Sequence, residues 1–418
     1  MQYGHSLEGL EREIRLYSET DHEIRTPKGY LDRLISQLKE EQVRHRLIDK
    51  RICQQYRTFK TNKNLWSFQQ KVVEEAFSRE QGVIQSPSGS GKTVIGLFLV
   101  AKCQQKALWI THTVDLLSQT VDKIETFLGI PKTEVGIIGD GYCEIGNNIT
   151  VGLVQSLVKI PINNLDQFGM IIVDEAHRVP TKTFLKIVNH LSAKFCFGLT
   201  ATAKRGDGLE QILFDVIGPT VAVVEEKDLI NENKIILPEV VQVPTLFKAV
   251  KNEQYSKLLT ELIEDRDRNR FIVQTIINTF NQGDFGIVFT DRINHCHTLT
   301  TMLKSDLRVA AITGKTKNRH ELFAKMKKGE LDLIIATKLA NEGLDVPLLN
   351  RLYLTTPTRS KIKIKQQLGR IMRQAGQKKA AFVYDFVDQQ IATFRIHAKM
   401  RLKVYKELGC ELNVHEMF

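Results

Sequence analysis

The chain of 418 residues has only six cysteines, and these lie far apart with no Cys-x-x-Cys pair. Such spacing argues against a structural zinc site, an iron–sulfur cluster and a disulfide framework. Uncharged apolar runs such as Val94–Ala101 are much shorter than the ~20 residues that a membrane-spanning helix needs. The first residues lack a basic-then-apolar signal pattern, so we expect a cytoplasmic protein with no membrane partner.

Acidic residues are also in short supply. The sequence has 48 Asp and Glu against 59 Lys and Arg, which gives a formal net charge of +11. An excess of this size suggests an anionic partner, most often nucleic acid. Most of this positive charge lies in residues 359–418, which contain 13 basic and 5 acidic residues. The hydrophobic fraction of 42% excludes disorder as the main state of the chain.

Short apolar runs alternate with helical segments along most of the chain, in two consecutive series. The expected strands are Val83–Gln85, Ala107–Ile110, Thr150–Val154, Gly169–Val173, Phe195–Leu199, Gly286–Phe289, Val309–Thr313, Leu331–Thr337, Arg351–Thr355 and Ala380–Tyr384. Strands that alternate with helices predict parallel, doubly wound sheets. The expected fold class is therefore α/β, with two parallel-sheet domains over residues 61–235 and 236–418.

Residues 1–60 differ from the rest because they are polar and mixed in charge. Apolar residues at helical spacing predict a helix over Tyr30–Glu41, and the sequence of Val43–Ile52 predicts a strand. This part of the chain predicts a small α/β accessory domain. The stretch Val223–Pro244 contains two prolines and predicts the junction between the two larger domains.

The segment Ser86–Thr93, with the sequence SPSGSGKT, connects a predicted strand to a predicted helix. Gly89 and Gly91 let backbone N–H groups close around phosphate oxygens, and the helix N-terminus favours anions. This context is the one that a phosphate-binding loop requires, although the strict motif begins with glycine. Lys92 would reach the β- and γ-phosphates of ATP, and Thr93 would ligate Mg²⁺. The loop residues expected to bind ATP are Ser88, Gly89, Ser90, Gly91, Lys92 and Thr93. The alternative interpretation is a glycine-rich turn before a helix.

Two acids, Asp174 and Glu175, directly follow the apolar run Gly169–Val173. Ligands of parallel sheets bind at the carboxyl ends of the strands. We expect Asp174 to hold Mg²⁺ through its hydration shell, because Mg²⁺ prefers oxygen ligands and keeps waters. Glu175 is expected to orient and deprotonate an attacking water. The alternative is a capping pair at a strand-to-helix turn.

Asp174-Glu175-Ala176-His177 is a DEAH box, and residues 65–410 resemble a superfamily 2 helicase. The likeness is greatest to the XPB/Rad25-like group, which includes phage-type DNA branch-migration helicases. This resemblance implies two RecA-like domains with ATP bound in the cleft between them, and a small DNA-engaging domain before the motor. It also fits a bacterial or phage-encoded context.

The resemblance assigns roles to further residues of the first domain. Gln69, at the end of Leu65-Trp66-Ser67-Phe68-Gln69, matches the glutamine that reads adenine, although Trp66 and Ser67 depart from the family pattern. The residues that would contact nucleic acid are His112, Thr113, Gln155 and Arg205. The residues that would couple hydrolysis to strand binding are His177, Thr200 and Thr202. Gly206 stands where XPB-like proteins often carry glutamate.

In the second domain, Gln366–Arg373 fits the family pattern QxxGRxxR. Fixed guanidinium groups stabilise the charge that shifts during phosphoryl transfer, so Arg370 and Arg373 are expected to be catalytic, and the resemblance adds Gln366. The two arginines are three residues apart, which would place them on one helix face. By resemblance, Gly343 and Asp345 face the nucleotide, whereas Gly314 and Thr337 contact nucleic acid.

These residues predict an ATP-dependent DNA helicase or translocase that acts on duplex or branched DNA in replication, recombination or repair. ATP and Mg²⁺ are the expected cofactors, and DNA is the expected partner. An RNA helicase is one alternative, and an ATPase motor subunit of a nuclease or defence complex without its own unwinding activity is another. The basic stretches Lys315–Lys328 and Lys361–Lys365 would either be solvated or neutralise a polyanion. We expect no metal at His295-Cys296-His297, because adjacent residues converge poorly on one ion.

Overall fold

The computed structural model describes residues 15–54, 57–87, 89–202, 208–232, 234–249, 254–316, 318–337, 346–375 and 378–414. The chain divides into two compact units, one of Met1–Ser86 and Thr93–Val223 and the other of Pro87–Lys92 and Val224–Phe418. Each unit contains its own large, mainly parallel sheet with connecting helices. This confirms the expected α/β class with two parallel-sheet domains, while the exact boundaries at residues 60 and 235 stay predictions.

The strands are β1 (Ser18–Glu19), β2 (Ile24–Arg25), β3 (Gln81–Gln85), β4 (Ala107–Thr111), β5 (Gly136–Gly139), β6 (Tyr142–Cys143), β7 (Ile149–Leu153), β8 (Met170–Val173), β9 (Phe195–Thr200), β10 (Thr220–Val223), β11 (Glu239–Pro244), β12 (Gly286–Thr290), β13 (Val309–Ile312), β14 (Leu333–Thr337), β15 (Arg351–Leu354), β16 (Phe382–Val387) and β17 (Glu411–Val414). The helices are α1 (Leu31–Glu40), α2 (Ser67–Phe77), α3 (Lys92–Cys103), α4 (Val114–Leu128), α5 (Val154–Leu157), α6 (Lys182–Val188), α7 (Glu210–Ile217), α8 (Glu226–Asn231), α9 (Tyr255–Glu264), α10 (Arg266–Thr279), α11 (Ile293–Leu303), α12 (Arg319–Lys327), α13 (Lys361–Ile371) and α14 (Ala392–Glu407).

The sheet of the first unit has the strand order β10-β3-β9-β8-β4-β7-β5-β6, and all neighbours are parallel except β5 and β6. Every residue of β4, β7, β8 and β9 is buried, which explains their continuous apolar sequences. Trp109 on β4 is fully buried. A Cβ atom at Gly96 of α3 would lie 2.6 Å from the Trp109 ring, so glycine lets α3 pack directly on the sheet.

The sheet of the second unit has the order β13-β14-β12-β15-β16-β11-β17, and all its strand pairs are parallel. Its core includes residues of β12, β14 and β15 together with α10 and α11. The stretch 223–244, predicted as a junction, contains α8 and β11. β11 pairs with β16 on one side and β17 on the other, because its proline stands at the last position, where the strand ends.

The N-terminal segment packs on the first unit through α7. Arg33 Nη1 of α1 lies 2.9 Å from Asp215 Oδ1, and Lys28 Nζ donates to the carbonyl of Leu191. The predicted strand Val43–Ile52 is wrong: the backbone there makes one isolated bridge, between Ile52 and Ala193. Residues 43–50 are exposed, so they bury no apolar face that would hold a strand on a sheet.

No helix in the described parts of the chain is long and apolar enough to cross a membrane.

A buried ion pair joins four elements of the second unit. Arg268 Nε of α10 lies 2.6 Å from Asp388 Oδ1, just after β16, and both side chains are 1% exposed. The same carboxylate accepts a hydrogen bond from Thr245, after β11, and Arg268 also donates to the carbonyl of Thr355. These contacts fix the strand ends that precede the loops of this unit.

We expect Asp388→Ala to lower the free energy of unfolding of the second unit by about 3–5 kcal/mol, because it leaves the Arg268 guanidinium buried without its carboxylate. Urea unfolding measures this change. The control is Asp267→Ala, since Asp267 pairs with Arg270 at the surface and such pairs contribute about 0–1 kcal/mol. Equal effects of the two substitutions would contradict this account of the buried pair.

Candidate functional site

The loop between β3 and α3 has the backbone that the sequence predicts for phosphate binding. Gly89 and Gly91 have φ values of +90° and +79°, which glycine adopts without steric cost. Ser90 donates its hydroxyl to the carbonyl of Pro87 at 2.6 Å, and the backbone N–H of Ser86 donates to Thr200 at the end of β9. A tight loop that opens a 12-residue helix fits a phosphate group.

Lys92 and Thr93 are the first two residues of α3, so both stand at the helix N-terminus. The hydroxyl of Thr93 accepts a hydrogen bond from Lys123 Nζ of α4 at 3.4 Å. Sequence reasoning did not identify Lys123, because it lies on a different helix with no motif around it. The contact with the Lys123 ammonium shows that the Thr93 oxygen can accept from a cation, and a metal ligand must do the same.

Asp174 and Glu175 follow β8 at the carboxyl edge of the first sheet. Asp174 is 5% exposed, and its Oδ1 accepts a hydrogen bond from the backbone N–H of Glu175 at 2.9 Å. Glu175 has a φ of +49°, which is uncommon for a residue with a side chain. Strained backbone of this kind is often found at functional sites, where the surrounding structure holds it in place. The oxygen chemistry of Asp174 suits Mg²⁺.

The structure brings the three residues predicted to couple the two activities into one chain of contacts. His177 Nδ1 lies 3.3 Å from Glu175 Oε2 and 3.3 Å from the hydroxyl of Thr200. Thr200 donates its hydroxyl to the carbonyl of Thr202 at 2.8 Å. A Cβ atom at Gly198 would lie 2.8 Å from Ala176, so glycine in β9 admits the turn that carries His177.

The predicted nucleic-acid contacts of the first unit lie at the carboxyl ends of β4 and β7. Gln155 Nε2 donates to the carbonyl of His112 at 3.2 Å, which brings these two residues together. The hydroxyl of Thr113 caps α4 by accepting from the N–H of Leu116. Sequence reasoning did not anticipate this helix-capping role, although threonine before a helix is a known signal for it.

Gln69 is 3% exposed, and its Oε1 accepts a hydrogen bond from the backbone N–H of Trp66 at 3.0 Å. This contact caps the N-terminus of α2 and fixes the orientation of the Gln69 side-chain amide.

In the second unit, Thr337 is the last residue of β14 and is 5% exposed. Gly314 lies in an exposed turn just after β13, the neighbour of β14 in the sheet. Both therefore lie at the same carboxyl edge. Four other predicted residues lie outside the described part of the chain, and they are Ser88, Arg205, Gly343 and Asp345.

Gln366 and Arg370 lie on α13, with Arg370 in its last turn. The helix ends at Ile371, and Arg373 lies beyond it in an antiparallel bridge with Ile235. The prediction that the two arginines share one helix face is therefore wrong. The physical reason is that Arg373 pairs through its backbone with Ile235, far away in the sequence, so the helix ends at Ile371.

The three lysines of α13 are held by acids on other elements. Lys361 pairs with Glu407 of α14 at 3.1 Å, and Lys365 pairs with Glu226 of α8 at 2.9 Å. Lys363 pairs with Asp291, which follows β12, at 2.5 Å. This basic stretch is therefore paired within the unit, and it is neither simply solvated nor available as a whole to a polyanion.

Lys378 is a further residue that sequence reasoning missed. Its ammonium donates to the backbone carbonyls of Ile371 and Arg373, the latter at 2.8 Å. Burial lowers the pKa of Lys378 to about 7, and the positive charge of Arg373 acts in the same direction. Nothing in the sequence marks this lysine, because its two acceptors are backbone atoms.

His295 lies inside the second unit, where its ring nitrogens contact Thr290 and Asn269 at 2.8 Å and 2.9 Å. Burial lowers its pKa to about 3, so the ring is neutral. Among the described residues, no group of His, Cys, Asp or Glu side chains is arranged to hold a metal ion.

Two family models match the chain in order. The model described as type III restriction enzyme, res subunit, matches residues 50–205, and the helicase conserved C-terminal domain matches residues 267–375. Together they cover more than half of the chain.

Individual relatives agree with these matches. A protein of Acanthamoeba polyphaga mimivirus, whose name describes an ATP-dependent RNA helicase, is 28% identical over 81% of this chain and 66% of its own length. The DNA 3'-5' translocase XPB2 of Sulfurisphaera tokodaii is 24% identical over 93% of this chain and 94% of its own. The fold is similar to that of Saccharomyces cerevisiae Dbp5 bound to RNA, with a TM-score of 0.64, 14% identity and coverage of 85% and 90%.

The chain spans about 60–66% of the length of the first curated relatives that it matches. The relatives include XPB and phage helicases at 24–26% identity. The chain therefore carries the two matched helicase domains, and its relatives are consistent with the XPB-like and phage helicase group of superfamily 2.

Proposed function

We propose that this protein is an ATP-dependent DNA helicase or translocase, which hydrolyses ATP to unwind or remodel duplex or branched DNA in replication, recombination or repair. The observation that carries the proposal is the contact chain from Glu175 through His177 to Thr200 and Thr202. It connects the acid that would activate water to the end of a neighbouring strand. A phosphate-binding loop alone would be equally compatible with an ATPase that performs no mechanical work.

The residues of the loop after β3 bind the triphosphate. Backbone N–H groups around Gly89 and Gly91 donate hydrogen bonds to the phosphate oxygens, and Lys92 contributes a positive charge at the same point. Thr93 and Asp174 would hold Mg²⁺, which neutralises charge on the β- and γ-phosphates when it is bound. Gln69, with its amide fixed by the start of α2, selects adenine.

Glu175 acts as the general base, which orients water and accepts its proton. The hydroxyl of Thr200 donates to the Thr202 carbonyl, so it is an acceptor toward His177. His177 Nδ1 therefore carries the proton and donates it to Thr200, and the same nitrogen lies 3.3 Å from Glu175 Oε2. A change in the charge of Glu175 would therefore alter the hydrogen bond between His177 and Thr200, which lies at the end of β9.

The second unit contributes Gln366, Arg370 and Arg373 to the transition state. The Lys363–Asp291 pair joins α13 to the segment after β12, which is at the same sheet edge as Thr337. Movement of α13, which carries Arg370, is therefore transmitted to the sheet edge at which this unit contacts nucleic acid. The proposed nucleic-acid contacts are His112, Thr113, Gln155, Arg205, Gly314 and Thr337.

DNA is the proposed substrate because a relative that covers 93% of this chain is named as a DNA translocase. RNA is the alternative, which the name of the mimivirus relative and the RNA bound to Dbp5 favour. A bacterial or phage-infected cytoplasm is the proposed setting, in line with the phage relatives.

The test is ATP hydrolysis by the full chain with duplex DNA, single-stranded DNA, forked DNA and RNA of matched length. We expect DNA to stimulate turnover more than RNA, and forked DNA to be unwound only with ATP. Stimulation by RNA alone would overturn the choice of DNA. Turnover without strand displacement, restored by a second protein, would instead support a motor subunit.

A further inference from the structure

The carbonyl groups of Ile371, Met372 and Arg373, where α13 ends, are all hydrogen-bonded. Lys378 Nζ donates to the carbonyls of Ile371 and Arg373, and the backbone N–H of Ile236 donates to the carbonyl of Met372 at 2.7 Å. A helix normally leaves its last four carbonyls without an intrahelical partner. Here a side-chain cation takes the place of the glycine turn that commonly ends a helix.

The position of this lysine suits its acceptors. The carbonyl end of a helix carries a partial negative charge, which attracts an ammonium group. The neighbouring residue, Lys379, is exposed, whereas Lys378 turns inward and is largely buried. Burying a lysine is costly unless it is hydrogen-bonded, so the two carbonyl contacts explain why the side chain lies there.

The contacts determine the geometry of the arginines. Arg370 lies in the last turn of α13, and Arg373 lies in the extended bridge with Ile235. The backbone is helical at Arg370 and extended at Arg373, and it changes direction at Ile371 and Met372, the two residues between them. An ammonium that holds the carbonyls on both sides of this bend fixes the angle between the helix and the bridge.

We propose that Lys378 is a positioning residue for Arg370 and Arg373, which sets the spacing of their guanidinium groups by holding the bend between them. This inference rests on the proposed function, because it requires the two arginines to act on the transferring phosphoryl group. The ammonium of Lys378 donates to two backbone carbonyls. It acts through the backbone, so its loss affects the rate of the chemical step more than the binding of ATP.

The experiment compares DNA-stimulated ATP turnover of the full chain in Lys378→Met, Lys378→Gln, Lys378→Arg and the adjacent control Lys379→Met. We expect kcat to fall roughly 10–100-fold in Lys378→Met, as misplacement by about 1 Å can cause, with KM for ATP nearly unchanged. Lys378→Arg should recover most of the loss, since it retains a charged donor. Lys379→Met should behave as the wild type.

A double-mutant cycle separates positioning from general stability. If Lys378 acts partly through Arg373, then Lys378→Met should lower turnover by a smaller factor in the Arg373→Ala background than in the wild type, where it misplaces both arginines. Additive losses would overturn the proposal, and so would a wild-type kcat in Lys378→Met. If Lys378→Met does not fold, as circular dichroism and urea unfolding report, Lys378→Gln with its neutral donor decides the question by the same criteria.

The same series distinguishes this inference from the function on which it rests. Wild-type turnover in both Arg370→Ala and Arg373→Ala would refute the catalytic role of the arginines. Loss of turnover in those variants, together with normal turnover in Lys378→Met and Lys378→Gln, would refute only the role of Lys378.

Discussion

Glu175→Gln is expected to lower DNA-stimulated ATP turnover by roughly 10²–10⁴-fold, the contribution typical of general base catalysis. The amide has the size of the carboxylate but cannot accept a proton from water. The left-handed backbone at this position, with φ of +49°, is retained because the substitution changes no backbone atom. Binding of ATP and of DNA should therefore persist, and equilibrium binding of a fluorescent ATP analogue measures the first of these.

The matched control is Asp140→Asn. Asp140 is also an acid with positive φ, at +51°, but it is exposed in the turn between β5 and β6. The same chemical change there should leave turnover unaltered. Lys92→Ala complements the pair, since it should abolish turnover by weakening the hold on the triphosphate while DNA binding remains. Normal turnover in Glu175→Gln would remove the general base from the mechanism.

The second large effect is expected at Arg370. Arg370→Lys keeps the positive charge but loses the planar fork that matches phosphate oxygens, so turnover should fall by roughly 10³-fold. Single-turnover hydrolysis with saturating ATP and DNA measures the chemical step directly. The control is Arg395→Lys on the exposed side of α14.

Two outcomes would contradict the role given to Arg370. Full activity in Arg370→Lys would show that charge alone suffices and that the fork geometry is unimportant. A loss confined to KM would assign Arg370 to ground-state binding and not to the transition state.

The sequence predicts the parts of this molecule that depend on local pattern. The fully buried strands β4 and β8 are continuous apolar runs, and the acids after β8 follow directly from where that run ends. The glycines of the loop after β3 adopt the positive φ values that such a loop requires. In each case neighbouring residues determine the structure.

Features that depend on distant residues were not predictable in this way. The end of α13 is set by the pairing of Arg373 with Ile235, and helical spacing could not reveal it. The acids that bind the lysines of α13 lie on three other elements, so a basic stretch appeared available to a polyanion. Residues 43–50 have strand-like composition but no buried face.

In the proposed mechanism, residues of both units contact ATP during turnover, and we expect ATP binding to change the distance between the units. Förster transfer measures that distance. One dye is attached at the exposed Cys143 of the first unit, with Cys53 replaced by serine, and the other at Lys399→Cys on α14 of the second. We expect a non-hydrolysable ATP analogue with DNA to change the transfer efficiency, and ADP to restore the nucleotide-free value. A transfer efficiency that stays constant through all these states, in a protein that still hydrolyses ATP, would contradict the account.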